Sequence, residues 1–98
     1  MMSDDRKEVV FEYSKPADKF LRKHEDVRTQ FEADAKQVIH RIHPEQVNYK
    51  PLHGKLEGYF RIAIGSYRII YRLINGEIIV VGVTHAGSRG DIYKKYRG

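Results

Sequence analysis

The run Tyr59-Phe60-Arg61-Ile62-Ala63-Ile64-Gly65-Ser66-Tyr67-Arg68-Ile69-Ile70-Tyr71-Arg72-Leu73-Ile74-Asn75-Gly76 decides the fold of this chain. Two segments rich in β-branched and aromatic residues are separated by Gly65-Ser66, a pair suited to a tight turn with positive φ at the glycine. Asn75-Gly76 is a second hairpin signal and leads into a third strand over 77–84. The stretch therefore predicts a three-stranded antiparallel meander of Tyr59–Ile64, Tyr67–Ile74 and Glu77–Thr84.

Two-residue turns fix a register, and side chains then alternate between faces. One face is expected to carry Ile62, Ile64, Tyr67, Ile69, Tyr71, Leu73, Ile78 and Val80, with Gly82 allowing close approach of helices. The other carries Tyr59, Arg61, Ala63, Arg68, Ile70, Arg72, Ile79, Val81 and Val83. In this register Ala63 sits opposite Arg68, so Arg61 and Arg68 lie diagonally across a strand pair. Like charges that close repel unless an anion is expected between them. Read one at a time, the arginines also suit solvated positions whose stems cover apolar surface.

The N-terminal half supplies the helices. Glu8–Tyr13 reads as a short strand, and Ser14 caps a helix over 15–24 with Pro16 in its first turn. Glu25 and Asp26 open a second helix whose apolar residues Val27, Phe31, Ala35, Val38, Ile39 and Ile42 recur at steps of three and four, giving one buried stripe that ends near Pro44. Residues 44–58 hold Pro51, Gly54 and Gly58 without periodicity and read as a loop. After Thr84, residues 85–93 read as a glycine-rich turn. Lys94, Lys95, Tyr96 and Arg97 then form a basic aromatic tail that can fold back over the arginine face and place Arg89 and Tyr93 beside Arg61 and Arg68. The fold class is α+β: a strand and two helices on one face of an antiparallel sheet, in a single domain over 1–98.

Composition narrows the chemistry. With no cysteine among 98 residues, disulfides, thiolate catalysis and cysteine-based zinc sites are excluded. No apolar run approaches the length of a membrane span, and the N-terminus is not signal-like, which reads as cytoplasmic with no membrane partner. Residues 1–50 hold 10 basic and 10 acidic side chains, and residues 51–98 hold 8 and 3. The whole excess of +5 thus lies in the half that builds the sheet, which points to a cationic face and an anionic partner.

Arginine holds phosphate through a planar fork of donors and stays charged at every relevant pH. A metal-free cut of RNA further needs help in removing a proton from the ribose 2′-hydroxyl and in protonating the departing 5′ oxygen. Tyr93 is a candidate if neighbouring arginines lower its pKa, and His85 titrates nearer neutrality. Tyr93 equally suits an aromatic covering the sheet, and His85 a turn residue. His40-x-x-His43 sets two imidazoles on one side of the second helix but lacks a third ligand, so neither a metal nor another cofactor is expected.

These residues carry a family likeness. Leu52-x-Gly54, then Tyr59-Phe60-Arg61-Ile62, Gly65, Tyr67-Arg68 and Tyr71, resemble the central signature of RelE/ParE-superfamily toxins. Arg89-Gly90-Asp91-Ile92-Tyr93 resembles the superfamily's C-terminal ending. The resemblance covers nearly the whole chain. It implies a toxin of a type II toxin–antitoxin pair, held in a hetero-oligomer by a cognate antitoxin. For the RelE branch it implies a ribosome-dependent, metal-independent endonuclease that cleaves mRNA through 2′-hydroxyl attack. Arg61 and Arg68 match strand positions that hold the phosphate, Arg89 a C-terminal basic position and Tyr93 the tyrosine. With His85 they form the candidate catalytic set, and Lys55, Arg72, Lys94, Lys95 and Arg97 are expected to bind RNA. Ala63 and the segment His85-Ala86-Gly87-Ser88 depart from the pattern, since relatives often carry basic residues there. The ParE branch shares the fold and poisons DNA gyrase, and stands as the alternative.

Overall fold

The computed structural model describes residues 7–95, with side chains through Ile92. Five strands, β1 (Val9–Tyr13), β2 (Tyr49–Pro51), β3 (Tyr59–Ile64), β4 (Tyr67–Asn75) and β5 (Ile79–Ser88), form one sheet in the order β1-β5-β4-β3-β2. Helices α1 (Lys15–Arg22) and α2 (Glu25–Ile39) lie between β1 and β2 in the chain, and α3 (Arg89–Lys95) follows β5. The expected α+β architecture is present. β1 pairs with β5 in parallel, while the other neighbours are antiparallel. A parallel return needs a long crossover, which α1, α2 and the strands after them supply.

Local chemistry accounts for the first helices. Ser14 is the N-cap of α1: its hydroxyl accepts from the Ala17 amide at 3.3 Å and donates to the Thr84 carbonyl at 2.6 Å. One side chain thus starts the helix and ties it to the end of the sheet. Ala17 and Leu21 of α1 and Val27, Phe31 and Ala35 of α2 are buried against Ile62, Ile69, Tyr71, Val81 and Val83. Phe31 meets Tyr71 edge to face at 5.7 Å. Burial, with Tyr49 adding to it, pushes the Tyr71 phenol above its ordinary range. The Tyr13 phenol, raised by burial and then by its hydrogen bond to the Glu32 carboxylate, joins β1 to α2.

Gly65 adopts φ +58, and the β3–β4 register places Ala63 opposite Arg68, both as the turn predicts. The β4–β5 connection does not follow a two-residue turn. Asn75 pairs with Ile79, leaving residues 76–78 as a three-residue loop closed by Gly76 N–H to Ile78 O at 3.0 Å. An odd shift of register reverses every side chain. Val81 and Val83 therefore face the helices, whereas Ile78 is exposed. Gly82 lies on the opposite face under Arg72, whose Cγ is 3.7 Å from where a Cβ would stand. Lys7 Nζ holds this loop by donating to Asn75 Oδ1 and Gly76 O.

Three other expectations are corrected. α2 ends at Ile39, with His40 as its C-cap, so Ile42 lies beyond the helix and is exposed. His40 and His43 accordingly do not share a helix face, and His43 has positive φ (51°) before a 3-10 turn at Pro44–Gln46. The expected loop over 44–58 contains the edge strand β2 and a second 3-10 turn, Gly54–Leu56. Finally, His85-Ala86-Gly87-Ser88 is not a turn but the end of β5. A bulge opposite Ile70/Tyr71 absorbs one extra residue, re-aims the strand and lets it run on to Ser88.

Candidate nucleic-acid site

Directly paired residues across a sheet share a face, so the register assembles the site in three rungs. Lys50, Arg61, Ile70 and His85 form the central one. Ala63, Arg68 and Gly87 form the next, and Tyr59, Arg72 and Gly82 the one on the other side. Arg61, Arg68 and Arg72 are therefore on one face of the sheet, as expected, and His85, expected in a turn, joins them from β5. Lys50 joins them from β2, a position missed with its strand.

The two central arginines are held differently. Arg61 is 8% exposed, and its Nη2 donates to Asn48 Oδ1 at 3.2 Å. Arg68 curls over the β3–β4 turn, where Nη1 donates to Gly65 O at 2.9 Å and to Tyr67 O at 3.0 Å. The Nε of each is buried and lacks a hydrogen-bond partner among the described residues. A buried, unsatisfied donor costs ~1–3 kcal/mol, and more on a charged group. Two guanidinium groups on one face, with Lys50 and Arg72 beside them, concentrate positive charge where an anion with several acceptor oxygens can be held. Ala63 leaves the space opposite Arg68 free of a large side chain. Arg72 is exposed, with its stem over Gly82.

α3 packs on β5 and β4. Ile92 is buried with its Cδ1 3.5 Å from where a Gly87 Cβ would stand. Because Gly87 shares a face with Arg68, Ile92 packs over the Gly87 end of the arginine face, and the chain there is a helix rather than the expected turn. Arg89 begins that helix, its amide donating to Ser66 O at 2.9 Å beside the turn that holds Arg68. Lys55 is exposed in the second 3-10 turn, on the chain before β3. The Tyr93, Lys94 and Lys95 side chains and all of Arg97 lie outside the described residues, as does Tyr96. Among the described residues no three His, Cys, Asp or Glu side chains group as metal ligands. No described helix is long and apolar enough to cross a membrane.

Several solved structures share this fold. YafQ from E. coli strain BL21(DE3) is 18% identical with a TM-score of 0.60, over 85% of this chain and 96% of that one. A chain of the RelB–RelE antitoxin–toxin complex from Methanococcus jannaschii is 23% identical with a TM-score of 0.58, over 86% and 96%. The YoeB/ParE toxin from Agrobacterium tumefaciens is 14% identical with a TM-score of 0.55, over 83% and 97%. No curated protein sequence matches the chain. The family described as ParE toxin of type II toxin–antitoxin system, parDE, matches residues 11–89, from the middle of β1 to the first residue of α3. That span takes in the meander, both N-terminal helices and the arginine face, and the chain belongs to this toxin family of the RelE/ParE superfamily.

Proposed function

We propose that this toxin is a ribosome-dependent mRNA endonuclease, neutralised by a cognate antitoxin. The observation that carries the reading is the gathering of Arg61, Arg68, Arg72, Lys50 and His85 on one face of the sheet by the strand register. In this reading Arg61 and Arg68 hold the scissile phosphate and stabilise the charge that builds on it as the 2′-hydroxyl attacks. His85 and Tyr93 are the candidates for moving the protons, and Arg89 adds positive charge from α3. Lys50, Lys55, Arg72, Lys94, Lys95 and Arg97 track the RNA backbone. The ribosome presents the message in line, which supplies the positioning that a small open face lacks.

The antitoxin has a fitting surface on the other side of the sheet. β4 and β5 run past the end of α2, leaving a groove of about 470 Å³ lined by Val38, Ile39, Phe60, Leu73 and Ile79, with Arg41 among its walls. Leu73 is 38% exposed within it. An apolar groove with an arginine in its wall suits an amphipathic segment that carries an acidic residue.

The family match to ParE favours one alternative, a gyrase-binding poison that cuts no RNA. Pulse labelling after induction without antitoxin separates the two. The endonuclease reading expects protein synthesis to stop first, with messages cleaved. Early loss of DNA synthesis and supercoiling with intact messages would replace it by the gyrase reading.

A further inference from the structure

β5 outruns its parallel neighbour. β1 pairs with Ile79–Val83 only, and among the described residues no strand lies beside His85–Ser88 on that edge. Arg89 N–H points to Ser66 O, next to β4. By the alternation of strand hydrogen bonds, Gly87 also turns its backbone groups to β4 and Ala86 turns its N–H and C=O to the open edge. A cavity of about 400 Å³ opens there, walled by Pro16 and Phe20 of α1, by His85, Ala86 and Gly87, and by Asp91 and Ile92 of α3. Its size is that of a small-molecule site. Its walls supply an aromatic ring at Phe20, a buried aliphatic side chain at Ile92, the outward backbone N–H of Ala86 and the acidic residue Asp91.

We propose that this cavity is a nucleobase subsite selective for guanine. The class of ligand follows from the donors and acceptors. A carboxylate accepts two hydrogen bonds side by side, and of the four bases guanine alone presents two adjacent donors, N1–H and the N2 amino group, on its pairing edge. Its O6 then faces a donor, the role available to the Ala86 N–H. Adenine and cytosine place a ring nitrogen acceptor beside their amino group, and uracil flanks its single N–H with two carbonyls, so each sets an acceptor against Asp91. An unstacked RNA base is commonly read in this way, on its pairing edge with its face against an aromatic ring. Phe20 provides that ring, and its other contacts with His24 (4.3 Å) and Tyr67 (5.4 Å) hold it in place.

The cavity adjoins the arginine face through Gly87, which pairs with Arg68 and lines the cavity wall. Resting on the endonuclease reading, the base seated here belongs to a nucleotide flanking the scissile phosphate, and the cavity sets where the toxin cuts.

Two measurements test it. In the full chain carrying Arg68→Ala, chosen so that the protein can be made without its antitoxin, 5′-GMP should shift the amide resonances of Ala86, Gly87 and Ile92, and 5′-AMP, 5′-CMP and 5′-UMP should not. Asp91→Asn should weaken the 5′-GMP response ~10-fold or more. In the otherwise native chain, Asp91→Asn should erase a guanine preference at one position beside the cut in ribosome-bound messages, with cleavage at messages lacking guanine there and the thermal melt as before. Equal shifts of these three amides with all four nucleotides, their failure to move with 5′-GMP, or an unchanged cleavage preference in Asp91→Asn would overturn the proposal. If 5′-GMP selects the cavity yet no message is cut, the guanine site stands and the endonuclease reading falls.

Discussion

At the scale of single residues, the same side chain type serves different ends on one face. Arg72 is exposed, whereas Arg61 and Arg68 each bury an Nε that has no hydrogen-bond partner among the described residues. Arg68→Ala should abolish toxicity while the protein still folds, because losing one transition-state donor costs ~10²–10³ in rate. Tyr93→Phe keeps the ring and removes only the hydroxyl, and His85→Gln keeps hydrogen bonding without the titration. General acid–base help is worth ~10²–10⁴, and Tyr93→Phe is expected to lose more of it than His85→Gln. Single-turnover cleavage of a ribosome-bound message, with thermal melts alongside, checks all three. Near-native rates for both Arg68→Ala and Tyr93→Phe would remove the site assignment, and a loss confined to His85→Gln would move the proton step to the histidine.

At the scale of elements, the joints carry the specificity. Ser14 both caps α1 and holds the Thr84 carbonyl at the β5 bulge, so Ser14→Ala should lower stability by ~1 kcal/mol, within the usual range for a lost N-cap. In a chain of this size that is a fall in Tm of roughly 4–8 °C, readable by calorimetry. The α3 joint is tighter. A Cβ at Gly87 already stands 3.5 Å from Ile92 Cδ1, so the two further methyl groups of Gly87→Val must push α3 off the sheet. Hydrogen exchange should then rise over 89–95 with the core protected as before, and toxicity should fall because Arg89 and Tyr93 travel with the helix. Unchanged exchange in α3 would show that Ile92 can move aside.

For the whole molecule, the proposed function gives the two faces of the sheet separate tasks, anion binding on the arginine side and antitoxin docking on the helix side past the end of α2. Leu73→Glu places a charge in the apolar groove at a position already 38% exposed. It should leave folding and toxicity intact and prevent rescue by the antitoxin, which is expected to be the small acidic product of the neighbouring reading frame. Growth with co-expressed antitoxin, together with a pull-down, checks it. Full rescue of Leu73→Glu would place the antitoxin elsewhere.

The sequence by itself determined the β3–β4 hairpin, its register and the meeting of Arg61, Ala63 and Arg68, because a glycine able to take positive φ leaves little choice at Gly65. It also determined the two N-terminal helices, through the Ser14 cap and the spacing of Val27, Phe31 and Ala35. Only the tertiary structure decided the phase of β5. Asn75-Gly76 permits more than one loop length, and burial of Val81 and Val83 between β1, β4 and the helices accompanies the three-residue loop, which also sends Gly82 under Arg72. β2 was illegible because three exposed residues ending in Pro51 carry no apolar alternation and are recognised as a strand only by pairing with β3. The extension of β5 to Ser88 was hidden for a similar reason: Gly87 looks like a turn residue until α3 is present, when its missing side chain is what lets Ile92 pack over the sheet. Thus short-range conformational preference was readable from the chain, while choices of pairing and layer were made by burial between segments far apart in sequence.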